Sequence, residues 1–361
     1  MDDSPFPYQG PLEPAEVRGR DGLLADLTQR VTERRVTALL GPRRYGKTSV
    51  LRRLAADLTE VTTVWVDLYE VTSMADVAVR FDDALGATTG RFAAAARAMA
   101  AGVAINLGVV KVDLTGPARN RPDPGLTFHG LLDVLVATAE REPTLLVVDE
   151  FSSIARVDGA AGALRTAIQH HYRDLGIVFA GSHPSMMRTM FTARPEPFYG
   201  QADLVEIGPL DAGAVEAIVG SGFASTRRDA GPLAGLLVAF AAGHPQRTMQ
   251  LADACWRHTP AGAAAARGTW AAALDDVRRA TGEGMERLYS GFERGERSVL
   301  RAVARGGSIF GAAADLLDLS NGAATHARRT LLDSGDLTDT PQGLAVVDPV
   351  LADWLRRRFP I

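Results

Sequence analysis

Gly41-Pro42-Arg43-Arg44-Tyr45-Gly46-Lys47-Thr48 is the stretch that most constrains how this chain folds. It fits G-x-x-x-x-G-K-[ST], a pattern that carries its chemistry only between a strand and a helix. Both flanks are there: Val36 to Leu40 reads as a buried strand, and Ser49 to Ala56 as a helix. Glycines let the backbone wrap a phosphate chain so that successive N–H groups and a helix N-terminus face it. On this reading Gly41, Pro42, Arg43, Arg44, Tyr45, Gly46, Lys47, Thr48 and Ser49 cradle a nucleotide. Lys47 reaches the β- and γ-phosphates, and the Thr48 hydroxyl holds Mg²⁺.

Residue usage strengthens the motif. Of 39 Lys+Arg side chains only two are lysines, Lys47 and Lys111. One of the two stands where a compact ammonium is needed and a planar guanidinium would not substitute. At 361 residues, 46% hydrophobic and 23% charged, the chain has ordinary globular composition and length for two or three domains. The alanine-rich run 93–101 is interrupted by Arg97 and reads as a helix, so no membrane partner is expected. Met1 to Pro5 is acidic and proline-containing, unlike a targeting peptide. Cys255 is the only cysteine, which excludes intrachain disulfides and cysteine-based metal clusters. A cytoplasmic location is the expectation. A net charge of −4 argues against a surface that coats nucleic acid.

The order of elements predicts an α/β fold with a doubly wound parallel sheet. Gly22 to Arg35 is an amphipathic helix, and Thr63 to Tyr69 a second strand. A helical stretch from Met74 to Ala101 breaks near 86–90. Ile105 to Leu114 alternates like a β-ribbon, and Arg119 to Gly125 reads as a loop. Thr127 to Glu140 is a helix. Residues 144–150, 176–182 and 202–207 supply further short β-branched runs, the signature of strands covered on both faces. Residues 211–258 look all-helical, followed by an alanine-rich helical connector to 290.

Leu145-Leu146-Val147-Val148-Asp149-Glu150 places two acids at a strand end, where open α/β sheets bind their ligands. Asp149 is the candidate metal ligand, and Glu150 the candidate that orients or deprotonates the attacking water. Together with Gly181-Ser182, Pro197-Phe198-Tyr199-Gly200-Gln201 and Gly243-His244-Pro245, these residues resemble the archaeal-type ATPase family. That family belongs to the AAA+-related STAND branch of P-loop NTPases. The resemblance covers roughly residues 15–260 and implies a winged helix behind them. It divides the chain into an ATPase core over 1–210, with an insertion at about 86–125, a helical lid and connector over 211–290, and a winged helix over 291–361.

The resemblance implies ATP or ADP with Mg²⁺ as ligands, and roles for further residues. Val17 and Arg20 match the segment that packs on adenine, although the same residues read equally well as a helix lead-in. Ser182 matches the position that senses the γ-phosphate; otherwise it is a helix cap before Pro184. His244 and Pro245 match the lid motif and also punctuate two helices. Arg247, just beyond, faces the phosphates or merely solvates its helix. Gln201 departs from the family, whose members often carry arginine there. Arg194 or Arg188, in the preceding loop, is the candidate replacement, and slow hydrolysis is expected. No N-K-x-D pattern for guanine is present.

In the last part, Glu296 to Ala304, Ile309 to Leu317 and Ala323 to Ser334 read as three helices, with wing strands near 337–347 and a final helix ending in Arg356-Arg357-Arg358. His326, Arg328 and Arg329 would be the basic side chains of a helix entering the major groove. Between Gly295 and Ile361, however, eight arginines meet eight acids. A domain that depends on phosphate contacts is usually basic. A protein partner or self-assembly is therefore favoured over DNA, which stays as the alternative.

Overall fold

Five short apolar runs pair into one parallel sheet of order β2-β3-β4-β1-β5. They are β1 (Val36–Leu40), β2 (Thr62–Asp67), β3 (Thr144–Asp149), β4 (Leu175–Gly181) and β5 (Asp203–Glu206). β1, β3 and β4 are buried along their whole length, as expected for parallel strands covered on both faces. The computed structural model describes residues 3–102, 107, 108, 110, 122–311 and 319–360.

The sheet order decides what can meet at its C-terminal edge. β4 lies between β1 and β3, with Leu40 opposite Gly181 and Val148 opposite Phe179. The residue after β4, Ser182, therefore emerges between the end of β1 and the acids after β3. On the far side of β3, Asp67 stands opposite Asp149.

The chain forms two compact units. The sheet unit comprises 22–41 and 47–207; the helical unit comprises 1–21, 42–46 and 208–361. In the sheet unit, α1 (Asp21–Thr32, joined at its first residue to the helical unit), α2 (Lys47–Asp57), α3 (Met74–Gly86), α4 (Gly90–Gly102), α5 (Pro124–Ala139), α6 (Ala160–Ile168) and α7 (Pro184–Thr192) accompany the strands. The helix break expected near 86–90 falls between α3 and α4. Of the expected ribbon at 105–114, all but Leu107, Gly108 and Val110 lies outside the described residues. The amides of Gly108 and Val110 both donate to buried Asp82, at 2.7 and 3.1 Å.

The helical unit contains α8 (Ala212–Ser225), α9 (Leu233–Ala241), α10 (Pro245–Arg257), the 25-residue α11 (Arg267–Gly291), α12 (Arg294–Ala304), α13 (Asn321–Ser334) and α14 (Pro349–Arg358). β6 (Leu337–Thr340) and β7 (Gly343–Val346) form an antiparallel hairpin between α13 and α14. The helix expected at 309–317 lies outside the described residues beyond Gly311. One continuous apolar core runs from Phe6 through α8–α14. Phe6 in the proline-rich lead-in is buried against Phe223, ring centroids 5.7 Å apart. Arg278 on α11 binds Asp353 on α14 through two bonds of 2.8 and 2.9 Å.

Candidate nucleotide site

In the sheet unit, Gly41 closes β1 where a Cβ would lie 2.3 Å from the Ile207 side chain, so no larger residue fits. Lys47 opens α2 with its ammonium buried, donating to the Gly41 carbonyl at 2.7 Å. Thr48 Oγ1 donates to Asp149 Oδ2 at 2.8 Å, joining residues 101 positions apart. These are two hard oxygen donors side by side, the donor set that Mg²⁺ accepts. Asp149 is buried. Burial raises its carboxyl above the ordinary range, with Glu150 and Asp67 adding to the rise, against the hydrogen bonds from Thr48 and the Glu150 amide. A cation at Asp149 would relieve that cost.

Glu150 has φ 51° and ψ 38°, the left-handed region, and precedes a 3₁₀ turn over Phe151–Arg156. Such a conformation costs a non-glycine residue of order 1 kcal/mol and marks a position held by its surroundings. The holding contacts are visible. The Ser182 hydroxyl donates to Glu150 Oε1 and the Ser182 amide to Oε2 at 3.3 Å. Immediately after Glu150, Phe151 packs with Phe179, Phe191 and Phe198, centroids 4.3 to 5.8 Å apart. Phe198 of the Phe-Tyr-Gly segment thus helps fix the turn behind the acid.

Ser49 is buried in the first turn of α2. Arg188 lies on α7, not in a loop as expected, and is paired with Glu206. Arg194 lines a shallow depression with Arg165, Glu196 and the exposed Tyr199. Gln201 donates to its neighbour, the Tyr199 carbonyl, at 3.3 Å.

The helical unit holds the middle of the loop. Pro42, Arg43, Arg44, Tyr45 and Gly46 belong to it, with positive φ at Arg44 (68°) and Gly46 (86°). Arg20 donates to the Tyr45 carbonyl at 3.4 Å, and Val17 is buried nearby in sequence. Burial lowers the Arg20 guanidinium somewhat, opposed by Tyr45 and Asp211. The Tyr45 ring meets His244 edge-on at 5.1 Å.

Gly243-His244-Pro245 stops α9 and starts α10. A Cβ on Gly243 would lie 2.1 Å from the Leu210 carbonyl oxygen, and its φ is +75°. His244 Nδ1 caps α10 by accepting from the Arg247 amide at 3.3 Å. Burial, and then the charges of Arg247 and Arg44, lower the imidazole to about 4 despite the raising effect of Asp348. His244 is therefore neutral at pH 7.

Arg247 neither solvates its helix nor stands exposed. It is buried, with Nε 3.0 and 3.1 Å from the two Asp348 oxygens and Nη2 at 2.5 Å from Oδ2. Arg44 of the loop lies 3.9 Å from the same carboxylate. Asp348 was invisible to motif reading, since a single Asp before a proline carries no signature. Its only hint was its place before Pro349, a helix-start signal.

On α13, Arg328 is paired with Asp339 and Arg329 with Asp333, at 2.9 and 3.8 Å, while His326 is exposed. Among the described residues no helix is long and apolar enough to cross a membrane.

No protein-family model and no curated protein matches the chain. Among solved structures it is similar to the Walker-type ATPase PABY2304 of Pyrococcus abyssi, at 19% identity and a TM-score of 0.71, over 98% of this chain and 99% of that one. It is similar also to the ORC2 protein of Aeropyrum pernix, solved in ADPNP–ADP complexes, at 14% identity and 0.57, over 98% of each. The ORC1 protein of the same organism, solved in complex with DNA, follows at 13% and 0.50, over 94% and 93%. Identities this low speak for the fold. The chain has the α/β fold of AAA+-type P-loop ATPases.

Proposed function

We propose that this chain binds ATP with Mg²⁺, hydrolyses it slowly, and converts nucleotide state into a change of conformation or assembly. The observation that carries the reading is the Thr48–Asp149 hydrogen bond, which joins the loop's hydroxyl to a buried acid 101 residues away. Lys47 donates to the β- and γ-phosphates, and its ammonium already sits at the helix start with a carbonyl as partner. Thr48 and Asp149 hold the metal, whose chemistry is to neutralise charge on the phosphate oxygens. Glu150 accepts the proton of the attacking water. Ser182, bound to both oxygens of Glu150, aims that carboxylate and answers to the γ-phosphate.

Residues 211–290 serve as lid and connector and 291–361 as a winged helix, a reading supported by the order α12, α13, β6–β7, α14. The pairing of Arg328 and Arg329 with acids supports a protein partner or self-assembly over DNA. Arg188 is occupied by Glu206, and Gln201 carries no charge, so Arg194 is the remaining candidate for a finger arginine.

Glu150→Gln tests the reading. It is expected to keep Mg²⁺-dependent ATP binding and to slow single-turnover hydrolysis by about 10²–10⁴-fold. Hydrolysis at the wild-type rate would remove Glu150 from the mechanism.

A further inference from the structure

Asp348 performs three tasks with one carboxylate. Its Oδ1 accepts from the Val350 and Leu351 amides, at 2.9 and 3.4 Å, and so caps α14. Both of its oxygens take the buried Arg247 guanidinium. It also stands within ion-pair distance of Arg44, a residue of the phosphate loop itself. Burial alone would raise this carboxyl, and the Arg247 hydrogen bonds and charge, with His244, outweigh it and hold it below the usual carboxylate range.

The two arginines differ in how tightly they are bound. The Arg44 side chain is 56% exposed, so its contact at 3.9 Å is weak and screened. The Arg247 side chain is 6% exposed; Gln250 Oε1 accepts from its Nη1 at 2.6 Å, but that neutral amide leaves the charge to Asp348, and a buried guanidinium without a counter-charge is costly. A phosphoryl group offers a guanidinium the same bidentate oxygens as a carboxylate. Any anion that enters the loop beside Arg44 therefore competes with Asp348, and only an anion can replace it at Arg247.

We propose that Asp348 is an internal phosphate mimic, a latch that occupies Arg247 and Arg44 until the polyphosphate of a nucleoside triphosphate takes its place and releases the start of α14. The inference rests on the ATP-binding reading above and adds its regulation. Binding must displace the latch, so part of the intrinsic affinity is spent on release. Removing the charge of Asp348 removes that competition. Asparagine keeps the side-chain oxygen that caps α14, which makes Asp348→Asn the sharp variant.

The test compares full-length wild type, Asp348→Asn and Asp353→Asn by titration with Mg²⁺ and a non-hydrolysable ATP analogue. Asp353 is a control on the same helix: it is buried and ion-paired to Arg278 and Arg357, with no phosphate-loop contact among its bonds. Asp348→Asn is expected to bind about tenfold more tightly than wild type, with Asp353→Asn unchanged. Hydrogen exchange of the 348–358 segment in wild type is expected to quicken when the analogue is added. Unchanged or weaker binding by folded Asp348→Asn overturns the latch. Should that variant not fold, slower or unaltered exchange in wild type overturns it instead. A wild type that binds no analogue overturns the ATP reading and the latch with it, whereas one that binds while the variants match sinks the latch alone.

Discussion

The phosphate loop is shared between two differently built regions. In the sheet unit, Thr48, Asp149, Glu150 and Ser182 each sit at or one step beyond the end of a strand or at the start of α2. The strand register fixes them, and the Thr48 and Ser182 hydroxyls and the Glu150 and Ser182 amides donate to the two carboxylates. In the helical unit, Arg44, His244, Arg247 and Asp348 sit on turns and helix starts, and the buried Arg247 guanidinium paired with the Asp348 carboxylate is their centre. Parallel sheets place ligands at strand ends by topology. Helix starts instead gather charge by capping and dipole, and one substitution redistributes it. The first region is thus suited to fixed geometry, the second to exchange of one anion for another.

Lys47→Ala should separate the two regions most strongly. Its ammonium belongs to the sheet unit, and its charge-assisted bonds to phosphate have no substitute in a chain with one other lysine. ATP affinity is expected to fall about 100-fold in an equilibrium titration, with the thermal unfolding midpoint within a few degrees of wild type. Affinity that persists would mean that the arginines of the helical unit carry binding, and the contrast would reverse.

The strand-end region was legible because its signals are local. Gly41–Thr48 and Asp149-Glu150 are contiguous, and the β-branched runs around them define the strands that present them. Ser182 was reached through the Gly-Ser strand end. The sequence did not show that Ser182 would hold Glu150, because that contact depends on β4 lying between β1 and β3. The helical region was half legible. Gly243-His244-Pro245 announced a backbone break, which the close approach of Leu210 explains. Its charge partner is 101 residues from Arg247, and nothing local marks one aspartate among many as the one that meets a buried arginine. The same distance hid the packing of Phe6 on Phe223, which ties the proline-rich lead-in to the helical unit.

His244 gives the helical region a pH signature between pH 7 and pH 5. Its folded value, about 4, lies below the ordinary 6.5. Between those values the unfolded chain binds more protons than the folded one, so stability falls as pH drops from about 6.5 toward 4. Between pH 7 and pH 5 the loss is expected to be about 2 kcal/mol. Asp348, Arg247, Arg44 and Tyr45 surround the ring; Asp348 and a backbone hydrogen bond favour its protonation, and the two arginines oppose it. Urea unfolding followed by tryptophan fluorescence suits the question, because Trp256, Trp270 and Trp354 lie in the helical unit and only Trp65 in the sheet unit. His244→Asn, which retains a capping oxygen, should flatten the dependence. A slope that survives in this variant would assign the titration to other groups.

Asp149→Asn probes the reciprocal property of the strand-end region, at a smaller scale. There the acids crowd: buried Asp149 adjoins Glu150 in sequence and stands opposite Asp67 in the register. Its carboxyl is raised, so holding it ionised at pH 7 opposes folding, the reverse of the Asp348 case. Asparagine still accepts from the Thr48 hydroxyl and carries no charge to desolvate. The variant is therefore expected to melt about 2–4 °C above wild type in Mg²⁺-free buffer. It should also lose the stabilisation that Mg²⁺ with nucleotide gives wild type, through mass action on the folded state. A gain without cation and a loss with it would mean that the sheet unit keeps a destabilising carboxylate for the sake of its ligand. A lower midpoint in both conditions would instead make Asp149 a structural acceptor for Thr48, and would leave anion exchange at Asp348 as the only charge-based device in the loop's surroundings.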